Sequence, residues 1–240
     1  MKFLYKYILT LFLIFGFNQN LNAGTGAATT YKLTITLLEL CDSTSSLSVC
    51  NNPVVIGTGD SGAIDIAGTT AGEAAASYGS LGSVPFGTTY THMQVTMKRA
   101  ITASGSAKDG AGTLCYTDGS ATGSATSNAS GNATAAASTT LYLGLIGTAN
   151  GNATNSATAS DGSGTSRSAG TVTSGDEFLE FRITLESSLT LKTGSFPTVK
   201  VAFGTSTAIT AVGNMGAACG TGSAAAGLLG SAPDVTVSFE

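Results

Sequence analysis

Residues 177–186 read Glu-Phe-Leu-Glu-Phe-Arg-Ile-Thr-Leu-Glu, and this stretch decides the fold. Leu179, Phe181, Ile183 and Leu185 alternate with Glu180, Arg182, Thr184 and Glu186, setting an apolar row against a polar one. Successive side chains of a strand point to opposite faces, so this period of two predicts a half-buried antiparallel strand. Its apolar row needs cover. Residues 89–101 supply the strongest partner: Met93, Val95 and Met97 alternate with Gln94, Thr96 and Lys98, and this row is expected to face that of 177–186.

Working outward, residues 29–40 carry Tyr31, Leu33, Ile35 and Leu37 in one phase and Leu38 and Leu40 in the other. The slip predicts a bulge near Leu37, or burial of both faces there. Shorter apolar runs at 54–56, 63–67, 113–116, 141–146, 189–192, 198–203, 208–212 and 234–240 read as further strands, set off by turn residues such as Gly57, Gly194, Pro197 and Gly204. Residues 70–78 are the one helical turn expected. About ten short strands with close turn signals define an all-β chain, an antiparallel β-sandwich of Ig-like or jelly-roll-like type, expected as a single domain over residues 24–240. Residues 102–138 and 148–170 are dominated by Ala, Gly, Ser and Thr. Such residues bury little apolar area to offset ordering, so these stretches are expected to be long loops over most of their length, with short strands embedded. The alternative is strands of small residues packed closely together. Residues 219–231 read as a Gly/Ala-rich connection.

The first 23 residues have the form of an export signal: Lys2 and Lys6, an apolar run over 8–17 and a small residue, Ala23, at the end. The protein is therefore expected to be secreted, in the periplasm or outside the cell, with no membrane span in the mature chain. Ten Lys and Arg stand against fourteen Asp and Glu, and two of the ten lie in the leader. That balance provides no basic surface to neutralise phosphates, which excludes nucleic acid as a partner. All four Cys follow the leader, where disulfides persist. Of three connectivities, the preferred one joins Cys41 to Cys50 across a short Ser/Thr-rich loop and, by elimination, Cys115 to Cys219. There is no CxxC, and the sole His, His92, does not stand at zinc-ligand spacing from them.

Several motifs carry chemistry elsewhere and fail here. Gly57, Gly59 and Gly62 fit GxGxxG, yet the residues that follow alternate like a strand, where a dinucleotide site needs a helix N-terminus. The segment 59–62, Gly-Asp-Ser-Gly, resembles the nucleophile segment of trypsin-like serine proteases, but that family's His precedes its Ser, and His92 follows. His92 itself falls among the polar positions of its strand and lacks partners for catalysis. Asp60, Asp109, Asp118 and Asp161 lie beside or near Gly without the spacing of a calcium loop. Asn128, Asn132 and Asn152 begin glycosylation sequons in form. No enzyme and no cofactor are expected.

The two chain ends together resemble the subunits of chaperone-usher pili. Tyr31, Leu33, Ile35 and Leu37 stand where that family's donated N-terminal row would be; Val235, Val237 and Phe239 alternate in the last strand, with Phe239 penultimate, and Gly227 is fourteenth from the end. The resemblance implies an incomplete sandwich completed by a strand from a neighbouring subunit, and these seven apolar residues as the positions of strand addition. The resulting expectation is an exported, non-enzymatic structural or adhesive surface protein, self-associating or binding other surface proteins. The alternative is a monomeric extracellular binding module for a glycan or other ligand.

Overall fold

The computed structural model describes residues 24–68, 78–119, 131–143, 149–156, 169–171, 176–194, 197, 199–213, 216, 219 and 227–239. The expected leader and nearly all of the expected helical turn lie outside them. Among the described residues seventeen strands follow one another. The first five are β1 (Gly24–Gly26), β2 (Ala28–Leu33), β3 (Ile35–Asp42), β4 (Val54–Thr58) and β5 (Ile64–Asp65). Next come β6 (Thr89–Lys98), β7 (Ala100–Lys108), β8 (Leu114–Thr117), β9 (Gly131–Asn132), β10 (Thr139–Tyr142), β11 (Ala149–Ser156) and β12 (Ala169–Thr171). The last five are β13 (Phe178–Thr190), β14 (Val199–Gly204), β15 (Ile209–Val212), β16 (Gly227–Gly230) and β17 (Asp234–Phe239).

The central sheet has the order β12-β11-β13-β6-β3-β4, antiparallel throughout. Its spine is β13 against β6, with Leu179 opposite Met97, Phe181 opposite Val95 and Ile183 opposite Met93. The two strongest apolar rows thus lie side by side on one face of one sheet and do not face each other across the core. Directly opposed residues of an antiparallel ladder share a face, so matched alternation makes them cross-strand neighbours. Residues 177–186 and 189–192 merge largely into β13, with a register break between Thr184 and Leu189. The slip read near Leu37 is a real irregularity: the β3–β6 register shifts between Ile35 and Leu37, and Leu37 and Leu38 are both buried.

The opposing layer is built from a second six-stranded sheet, β5-β2-β7-β8-β9 with β10 on β7, a three-stranded sheet β1-β15-β16, and a two-stranded ribbon of β14 and β17. Buried apolar residues of all these sheets join in one cluster. The fold is the expected all-β sandwich, with more strands than the expected ten.

Part of the surplus lies in the small-residue stretches, where short strands are embedded as expected. Residues 102–108 complete β7, β8 and β9 follow within 102–138, and β11 and the first two residues of β12 fall within 148–170, while 120–130, 148 and 157–168 lie outside the described residues. On β7, Ala103 and Ala107 are buried, and a Cβ added at Gly105 would overlap the Ala27 carbonyl oxygen. A Cβ at Gly26 would likewise collide with the Ser106 carbonyl oxygen. Small side chains let the backbone of β1 lie directly on β7, so order there comes from close backbone approach and needs no large buried side chains. Residues 219–231, expected as a connection, contain β16 and its pairing with β15.

A second correction concerns the polar row of 177–186. Glu180 and Arg182, expected toward solvent, are 4% and 7% exposed, and Arg182 Nη2 donates to Glu180 Oε1 at 2.7 Å. On the same sheet face, Gln94 Nε2 donates to Glu39 Oε2 at 2.6 Å, and Thr96 and Thr36 are buried as well. Both faces of the central sheet are covered. Alternation announces which residues share a face but leaves open whether the polar face meets water.

Candidate functional site

The inward face of the central sheet presents Leu38, Met93, Val95, Met97, Phe181 and Ile183. These residues floor a cleft of about 940 Å3. One wall is Leu33 of β2 with Ile64 and Ile66 at β5. The other is the ribbon: the β14–β17 register pairs Val201 with Val237 and Phe203 with Val235, so their side chains share the face that lines the cleft with Val199.

The ribbon packs along β13 and is tied to β2 at one end. Ala28 N–H donates to the Thr205 carbonyl at 3.0 Å, and the Tyr31 hydroxyl donates to the Ser231 carbonyl at 2.6 Å. Beyond those ties no strand pairing joins the ribbon to β2 or β5, and the apolar cleft occupies the gap. Among the described residues β14 pairs with β17 alone.

The lining is chemically quiet. The Tyr78 hydroxyl donates to the Gly59 carbonyl at 2.6 Å, and burial, followed by the charge of Asp60, pushes its pKa up. Ser80 Oγ accepts from Gly82 N–H at 3.2 Å. Both of these side chains are thus turned to local backbone; Arg182, paired with Glu180, and Thr184 also border the space, and the remainder is mainly hydrocarbon with the thioethers of Met93 and Met97, which adapt to irregular shapes. Convergent acid, base and nucleophile, the pattern that marks a reacting centre, do not meet on these walls. Among the described residues no three His, Cys, Asp or Glu stand close enough to hold a metal ion.

Both cystines form as read, Cys41 with Cys50 and Cys115 with Cys219. Of the residues proposed for strand addition, Tyr31, Leu33 and Leu37 are buried within their own chain and Ile35 is half-buried; Tyr31 and Leu33 lie on β2, which pairs with β7, while Ile35 and Leu37 pair with β6. Val235, Val237 and Phe239 lie on the ribbon, paired with β14. Of these seven, Leu33, Ile35, Val235 and Val237 line the cleft. The stretch 57–62 ends β4 and then leads toward β5: Asp60 pairs with Lys98 at 2.7 Å and accepts from Gly62 N–H at 2.8 Å, which together lower its pKa, and Ser61 Oγ accepts from Ile35 N–H. His92 is half-buried on the sheet face away from the cleft, its Nδ1 2.9 Å from Thr91 Oγ1.

What sequence reasoning missed is the gap itself. The rows at 199–203 and 235–239 are visible as alternation, but nothing local tells that the two strands pair only with each other. Comparison with family models, with curated proteins and with solved structures returns no match. Among the described residues no helix is long and apolar enough to cross a membrane.

Proposed function

We propose that this chain is an exported, non-enzymatic binding module that holds an apolar ligand inside its sandwich. The observation that carries the proposal is the cleft of about 940 Å3 with mainly apolar residues on floor and walls. It lies at the upper end of the range for small-molecule sites, roughly 300–1,000 Å3. The lining is mainly apolar, which suits an apolar ligand better than a glycan. Export is supported by the leader-like residues 1–23 and by the two cystines, which persist in oxidising compartments.

A second reading, the surface fibre subunit, is favoured by the two-stranded ribbon, in which β14 pairs with no strand but β17 among the described residues, since sheet edges are where strand addition takes place. The N-terminal row is a poor donor for it because Tyr31 and Leu33 are committed to their own core. Titration of the folded protein with a fluorescent long-chain fatty acid, alongside Phe181→Glu, separates the readings. Saturable uptake that the variant loses supports the binding module. Filaments under the electron microscope with no uptake replace it by the fibre subunit.

A further inference from the structure

We infer that the cystine-closed loop 41–50 is the portal through which an elongated aliphatic ligand passes between the cleft and a lipid surface. This rests on the apolar-ligand reading above and adds where the ligand comes from and how it enters. The observation behind it is double duty at Leu47: the side chain is 44% exposed and also lines the cleft. Val49, two residues on, is 46% exposed. One end of the cleft therefore continues into an apolar surface point.

The loop is built to hold that point out. Cys41–Cys50 closes its base, and Ser46 and Val49 exchange backbone hydrogen bonds of 2.9 and 3.2 Å across the Leu47–Ser48 tip. Asp42 accepts from the Thr44 N–H and hydroxyl and from Asn52 Nδ2 at 2.9, 2.6 and 2.6 Å, so the loop's single charge is satisfied at its root. Isolated surface apolar residues are ordinary. Here a rigid hairpin presents two of them at the mouth of an apolar interior.

The floor residues along β6, Met97, Val95 and Met93, span four residue steps, about 13 Å of strand. That shape suits an extended chain better than a compact ring system. An aliphatic molecule of that kind resides in lipid and not in water, so the portal must meet a lipid surface. Loop 41–53 contains no Lys or Arg, which makes the contact apolar, brief and independent of anionic headgroups.

The test measures transfer of a fluorescent long-chain fatty acid from phosphatidylcholine vesicles to the full chain, with uptake from solution measured in parallel. Wild type is expected to acquire probe at a rate that rises with vesicle concentration and does not change with salt. Val49→Asp, at a position outside the cleft lining, should leave uptake from solution unchanged while transfer slows roughly tenfold, the scale of losing part of one buried Val contact. Equal transfer rates for wild type and Val49→Asp, or a rate independent of vesicle concentration, overturn the portal while leaving the cleft reading intact. Absence of uptake from solution by wild type overturns the cleft reading and the portal together.

Discussion

Arg99 and Leu143 hold each other by two hydrogen bonds: Arg99 Nε donates to the Leu143 carbonyl at 2.8 Å, and Leu143 N–H donates to the Arg99 carbonyl at 2.8 Å. Arg99 is 1% exposed and sits where the chain leaves β6 in the central sheet and enters β7 in the opposing layer. Its N–H donates to the Glu177 carbonyl at 2.8 Å, and its guanidinium lies 5.3 Å from the centroid of the Tyr142 ring. Burial lowers its pKa, with Asp176 and Tyr142 opposing the shift. One side chain thus stitches β6, β10 and the approach to β13. Arg99→Met is expected to cost about 3 kcal/mol, because the Leu143 carbonyl is left buried without its charged donor, and urea unfolding will measure it.

The buried pair Arg182–Glu180 predicts an asymmetry. Arg182→Leu strands the Glu180 carboxylate in the interior and should cost about 3–5 kcal/mol. The double variant Arg182→Leu/Glu180→Leu should recover most of that loss, since an apolar pair of similar volume needs no desolvation of charge. If the double variant is no more stable than the single one in urea, the carboxylate is not the source of the cost.

Tyr31 makes stability fall at alkaline pH. Desolvation raises its pKa well above the ordinary phenol value, so the folded chain keeps a proton that the unfolded chain releases near pH 10. Its contribution is whole below that value and drains away above it. Tyr31→Phe should cost about 1–2 kcal/mol at neutral pH, where the Ser231 carbonyl loses its donor, and should shallow the decline between neutral and strongly alkaline conditions. Unfolding midpoints across that range check both parts.

At the acid end, Asp42 works in the opposite direction. Hydrogen bonds from the Thr44 hydroxyl, Asn52 and the Thr44 N–H hold its carboxyl below the ordinary Asp value. Its contribution is present above that ordinary value and is lost as pH falls through the lowered one. Asp42→Ala should therefore lower the unfolding midpoint at neutral pH, and the gap from wild type should close in strong acid.

The cystines differ in expected worth because their loops differ in length. Replacing Cys115 and Cys219, separated by 104 residues, with Ala should cost about 4–5 kcal/mol, whereas the same exchange at Cys41 and Cys50, nine apart, should cost about 3. Comparing the two double variants under identical non-reducing conditions measures the difference.

Strand identity was legible wherever large apolar residues alternate, at Leu179 to Leu185, at Met93 to Met97 and in the phase slip at Leu37 and Leu38. Small-residue strands such as β7 were not, because Ala103, Gly105 and Ala107 contribute little to a hydrophobic period; what orders them is the backbone of β1 pressed against theirs. Burial of Glu180 and Arg182 was hidden too, since a charged row reads the same whether water or protein lies above it. The cleft was the least legible feature. Each residue around it looks like ordinary core, and only the failure of the β14–β17 ribbon to pair with β2 turns core into cavity.

The bridge from Cys115 to Cys219 encloses nearly half of the polypeptide. A single protease cut anywhere between the two cysteines leaves both pieces covalently joined, so a nicked molecule still migrates as one species on a gel run without reductant. A cut in the Gly- and Ser-rich residues between the two cysteines therefore sheds neither fragment until the bridge is reduced.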